Sequence, residues 1–173
     1  MDIKDAKTSI EEISSAQQKA AELGHYRDYG SIVSAWGIAW LFGFAAQQFF
    51  PDLAGWVWIL GWIGALGWTV TRPRRRHDGK ALATWFILIG YIALLLAILG
   101  PDERTISLIF ALVLSASYAV MGVWVGKRFF LLAGLVVAAI CFGWLWMPNW
   151  LFAALALGGG GATIVCGIWL ARP

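Results

Sequence analysis

"ALATWFILIGYIALLLAIL", residues 81–99, runs for nineteen positions without one Asp, Glu, Lys, Arg or His. At about 1.5 Å of rise per residue it measures about 28 Å as a helix, close to the thickness of a bilayer's hydrocarbon layer. Five more runs of this kind stand beside it: 31–50, 53–71, 105–125, 129–147 and 150–171. A backbone in lipid must satisfy its own hydrogen bonds, and no segment shows the ten-residue alternation of a barrel strand. The sequence therefore predicts an all-α, polytopic membrane protein with six transmembrane helices. Composition agrees: 13% of residues are charged, against roughly a quarter in soluble domains, and mean hydropathy is +0.72. The polar first 30 residues do not read as a signal peptide, so the first apolar run is expected to stay in the mature chain.

The breaks between runs alternate in charge. "FFPDL", "GPDERT" and "MPNW" hold only Arg104, whereas the other breaks and both termini hold the remaining twelve of thirteen Lys and Arg residues. These are Lys4, Lys7, Lys19 and Arg27, then Arg72, Arg74, Arg75, Arg76 and Lys80, then Lys127, Arg128 and Arg172. Such asymmetry predicts that the basic side faces the cytosol, with both termini there. The dense stretch "RPRRRHDGK" (72–80) is first a topology signal. With Lys127 and Arg128 it also forms basic loops suited to anionic lipid head groups. Binding to nucleic acid would need a groove-entering element with polar readers, and a loop containing Pro73 and Gly79 has neither.

The charge-poor turns repeat: "FFPD" at 49–52, "LGPD" at 99–102 and "WMPN" at 146–149. Proline presets one dihedral, and the short polar side chain after it caps a following amide. The helix after each turn closes on Gly, Trp and a basic stop: "GWTVTR" from Gly67, "GVWVGKR" from Gly122 and "GIWLAR" from Gly167. This periodicity predicts three hairpins, 31–71, 81–125 and 129–171, within a domain spanning 30–173. On these motifs, together with "YGSIVSAWGIAWLFGF" at 29–44, the chain resembles small six-helix bacterial inner-membrane proteins built from glycine-rich hairpins, loosely the HdeD acid-stress family. The resemblance implies a non-enzymatic stress or regulatory membrane protein.

Residues 1–29 form a separate unit. Ile3, Ala6, Ile10, Ile13, Gln17 and Ala20 follow heptad spacing and predict a cytosolic amphipathic helix. The helix starts at Asp2 or, where Ser9 with Glu12 offers a capping box, at Ser9, and Gly24 offers an end. Its six acids against four bases, Glu11 and Glu12 among them, favour protein over anionic lipid as the surface it meets. Its occupant is the chain's own basic loops, or a second copy or cytosolic protein partner; a disordered segment is the third reading.

Chemistry is sparse. No Asp, Glu, Lys, Arg or His falls inside the six apolar cores, which argues against proton relays and ion-coupled transport. His25 and His77 flank the membrane rather than enter it. No catalytic set, metal site or cofactor motif occurs, and a haem reading has no ligands within the spans. "GGGG" at 158–161 sits inside an apolar run, where glycines let a neighbouring helix approach closely. Cys141 and Cys166 differ by roughly 15 Å in depth, too far for a disulfide. Most of the twelve Trp fall near boundaries, as amphipathic rings do. Trp40 and Trp62 fall near the midplane and, with Tyr91, Ser115, Tyr118 and Thr163, form the candidate cavity for a neutral or lipophilic ligand. Ordinary packing is the competing reading of the same six. Two functions follow: a scaffold or sensor acting through the acidic helix, or a small channel or carrier using that cavity.

Overall fold

In a computed structural model, residues 3–71, 78–100, 102–124 and 126–172 are described. All form helices and their turns, with no strand among them. In chain order they are α1 (Ile3–Phe49), α2 (Pro51–Thr71), α3 (Asp78–Leu99), α4 (Glu103–Trp124) and α5 (Arg128–Trp146). A last rod follows: a 3₁₀ turn at Pro148–Trp150, α6 (Leu151–Ala154), a π-helical stretch at Leu155–Gly161 and α7 (Ala162–Ala171). Five helical segments are long and apolar enough to cross a membrane: Tyr29–Phe49, Pro51–Thr71, Glu103–Val123, Arg128–Trp146 and Pro148–Ala171. The apolar part of α3 is shorter, Ile87–Leu99.

The outward faces show which solvent this fold expects. Buried side chains in α2 are only Ala54 and Ala65, while Trp56, Ile59, Leu60 and Ile63 are more than half exposed. In water such a patch would drive association. Facing lipid tails, the same side chains meet their own kind.

One expectation is overturned at the N-terminus. The amphipathic segment does not end at Gly24, nor does its helix begin at Ser9: α1 is a single rod of 47 residues, about 70 Å long. A glycine stop requires a left-handed backbone, and among the described residues only Gly100 and Gly126 have positive φ. Without that conformation, Gly24 only weakens the helix, by about 1 kcal/mol relative to alanine.

Turn chemistry follows the local residues. Phe50 alone separates α1 from α2, its amide donating to the Ala46 carbonyl at 2.7 Å, and Pro51 opens α2, where a missing N–H costs nothing. Gly100, at φ +51, ends α3 with its amide on the Leu96 carbonyl. The Asp102 carboxylate then accepts from the Thr105 amide at 3.1 Å. Of the three repeated turns, this one shows the expected cap. Asp52 instead lies within the first turn of α2, and Asn149 within the 3₁₀ turn.

α1 is the hub, with α2 against one flank and the last rod against another. α4 packs chiefly on α5 and only thinly on α3, which lies at the edge with Ile92 buried. The contact between α1 and the last rod is made by backbone. A methyl group on Gly160 would stand 2.5 Å from the Leu41 amide nitrogen, and one on Gly37 would stand 2.8 Å from that of Ile164. One on Gly30 would meet the Gly167 carbonyl at 2.5 Å. The four-glycine run thus lets two helices touch main chain to main chain. Its π-helical winding places Gly159 and Gly160 against Trp40 and Leu41.

These distances give a first prediction. Gly160→Ala should lower stability in detergent by about 1–3 kcal/mol, since backbone cannot swing aside. Gly64→Ala, with nothing within 4 Å, should be neutral or stabilising by up to about 1 kcal/mol. Thermal unfolding followed by fluorescence-detected chromatography checks both, and equal behaviour of the two would refute the backbone contact.

Candidate functional site

Helical spacing sets an aromatic stripe on α1: Trp36, Trp40 and Phe44 recur every four residues. Trp58 and Trp62 do the same on α2, and Phe110 of α4 fills the space between. Trp40 stacks on Phe110 at 5.0 Å and 24°, while Phe44 meets Trp58 edge-on at 5.0 Å. Trp62 touches both Trp36, at 5.2 Å, and Phe110, at 5.8 Å. Such offset and edge contacts each add about 0.5–1.5 kcal/mol beyond area burial. The indole N–H groups find acceptors near the two ends of the seam, Trp36 on Thr69 Oγ1 at 3.2 Å and Trp58 on Gln47 Oε1 at 3.3 Å.

The six cavity candidates are divided by this arrangement. Trp40 and Trp62 share Phe110 within the aromatic seam, Trp40 being 2% exposed. Tyr118 and Thr163 meet through their hydroxyls, and Thr163 donates to the Gly159 carbonyl at 2.6 Å. Ser115 turns to α5, donating to the Ala133 carbonyl at 3.0 Å. Tyr91, 63% exposed, lies on the outer face of α3. Two pairs are therefore brought together, one residue joins α4 to α5, and one stands apart.

The partner-helix candidates are also sorted. Ile10 and Ile13 are 66% and 58% exposed, so neither packs on the described part of the chain, and Glu12 is exposed beside them. The side chains of Ile3, Glu11 and Lys80, and residues Arg72, Arg74, Arg75 and Arg76, lie outside the described residues.

At the basic end, side chains of α1 and α7 converge on the start of α5. Tyr26 of α1, 3% exposed, lies at 6.4 Å and 28° to Phe129, and Tyr29 meets Phe129 edge-on at 6.3 Å. Arg128, half-buried, places its guanidinium carbon 4.8 Å from the Tyr26 ring centroid and 4.7 Å from that of Trp169. Lys127 next to it is exposed.

At the proline end, Gln48 of α1 bridges to the last rod. Its amide donates to the Asn149 carbonyl at 3.2 Å and accepts from the Ala153 N–H at 3.4 Å. A shallow cleft of about 220 Å³ lies nearby, lined by Asp102, Arg104, Thr105, Trp144, Pro148 and Leu151. Hydrogen bonds from Thr105 hold the Asp102 carboxyl below its usual value, with Arg104 adding to the effect. Cys141 and Cys166 are both free, the first exposed and the second buried.

Sequence reasoning passed over Phe110, Tyr26 and Gln48. Phe110 sits among apolar neighbours with no polar or periodic mark. For Tyr26 and Gln48 the available signal was their position, one helical turn from a span boundary, where ring and amide groups meet chain ends.

Five helical segments long and apolar enough to cross a membrane, packed through glycine and aromatic contacts, mark a helical membrane protein. Comparison with known proteins gives no matching family model, no matching curated protein and no matching solved structure.

Phe110→Ala should cost roughly 3 kcal/mol, because three indoles lose a common partner. Tyr91→Ala should leave stability nearly unchanged. Thermal unfolding in detergent measures the pair, and a Tyr91 effect as large as that of Phe110 would contradict the aromatic seam.

Proposed function

We propose that this chain is a non-enzymatic inner-membrane protein of six spans, paired 2+2+2. In this reading it works as a scaffold or sensor through an N-terminal helix standing in the cytosol. The observation that carries it is the unbroken α1 with Ile10 and Ile13 exposed. Residues 3–28 continue the first span for about 39 Å, so a partner bound there would grip the helix on which α2 and the last rod pack. An apolar seam flanked by acids suits a helical surface of basic or neutral character, on a cytosolic protein or on a second copy.

The six-span count is supported by α3, whose 22 residues measure about 33 Å. Orientation follows the distribution of Lys and Arg. In spheroplasts, a cysteine placed at Asp102 should react with an impermeant maleimide, and one placed at Lys127 should react only after lysis, both in a background without Cys141 and Cys166. The reverse pattern would overturn the orientation.

The helix itself is tested by affinity capture from membranes. Ile10→Asp with Ile13→Asp should lose at least about tenfold of any partner recovered with the wild-type chain, since burying a carboxylate in an apolar seam is costly. Equal recovery by wild type and variant would remove the helix from the functional account.

A further inference from the structure

We propose that the basic end holds a site for the phosphate of an anionic phospholipid head group, with Arg128 as its binding residue. The proposal rests on the membrane reading above and goes beyond it, because a general basic surface attracts lipid without choosing a position. Arg128 differs from a general surface charge in being held. Its guanidinium lies over two rings from different helices, Tyr26 of α1 and Trp169 of α7. Tyr26 in turn is fixed against Phe129, which is fully buried, and the Tyr26 hydroxyl lies 3.5 Å from the Arg128 amide. An arginine on a free stem would give up rotamer freedom on binding; here the packing has already restricted it.

Cation–π contact engages the face of a guanidinium and leaves its N–H groups at the edge, in the plane. Among the described residues, no carboxylate or carbonyl accepts a hydrogen bond from those groups. A planar fork with open donors matches two phosphate oxygens at once, a geometry that lysine cannot reproduce.

Position selects lipid over free phosphate. Arg128 is the first residue of one membrane-length segment, and Trp169 lies two residues before the end of another. Both therefore stand at head-group depth if these segments cross the bilayer. Phe130 and Ile168, about half exposed, flank the pair and offer apolar surface to acyl chains. Lys127 and Arg172, both exposed at the same end, add the longer-range attraction that basic residues exert on anionic leaflets.

The test uses the full chain reconstituted in nanodiscs of phosphatidylcholine containing a minor fraction of phosphatidylglycerol, then released and weighed by native mass spectrometry. Wild type should retain phosphatidylglycerol in preference to phosphatidylcholine. Arg128→Lys and Trp169→Leu should each lower that retention by about fivefold or more, and Lys127→Gln by less than about twofold. Undiminished retention in Arg128→Lys, or an equal loss in Lys127→Gln, would overturn the site. Should Arg128→Lys fail to fold, Trp169→Leu alone decides. Displacement of the retained lipid by millimolar inorganic phosphate would overturn the choice of lipid over free phosphate. Failure of the membrane reading is seen separately, as release of the chain from membranes by alkaline carbonate.

Discussion

The close approach of α1 to the last rod is the contact on which the rest of this bundle depends. Lipid tails are as apolar as leucine, so helices in a bilayer gain little from hiding apolar side chains and must gain from packing itself. Gly30, Ser34 and Gly37 on α1 meet Gly160, Ile164 and Gly167 on the last rod with no side chain between their backbones at several points. At that separation dispersion acts between main chains along the crossing. The Ser34 hydroxyl is turned back onto the Gly30 carbonyl at 3.0 Å, which spares a polar group from facing hydrocarbon.

That contact uses one face of α1 and leaves another for aromatic packing. Trp36, Trp40 and Phe44 meet Trp58 and Trp62 of α2, with Phe110 of α4 bound among them. The two faces solve different problems. Small residues set how near the last rod comes, and large flat ones pack where α1, α2 and α4 meet. A helix that organises two neighbours in this way and then continues without a break toward the N-terminus ties the polar segment mechanically to the core. The exposed turns around Ile10 and Ile13 belong to the same hydrogen-bonded rod as the face that packs on α2 and the last rod.

The polar groups of the core follow the same economy. Ser117 and Thr163 return their hydroxyls to carbonyls one turn earlier, and Ser115 reaches across to Ala133 of α5. No buried side-chain nitrogen or oxygen among the described residues lacks a partner. These hydroxyls join helix to helix, and their hydrogen-bonding capacity is spent within the bundle.

The all-helical class, the long apolar helices and the glycine-rich nature of their packing were legible in the sequence. Each is a local property, decided by whether a stretch can leave water and by what side chains it carries. The end of the amphipathic segment was not, because Gly24 permits a stop without requiring one and the helix beyond it already had partners to hold it. Likewise the repeated Pro-Asp and Pro-Asn pairs look alike in sequence, yet only Asp102 caps, since the register of the following helix decides where each carboxylate or amide lies. Among the cavity candidates, residue type marked Trp40 and Tyr91 equally. Tertiary structure alone buried one beneath Phe110 and left the other on the outer face of α3, because which face a helix presents depends on neighbours distant in the chain. The clasp of Arg128 by Tyr26 and Trp169 is of the same kind: it joins residues about a hundred and about forty positions apart, and no spacing rule along the chain relates them until the rods have packed.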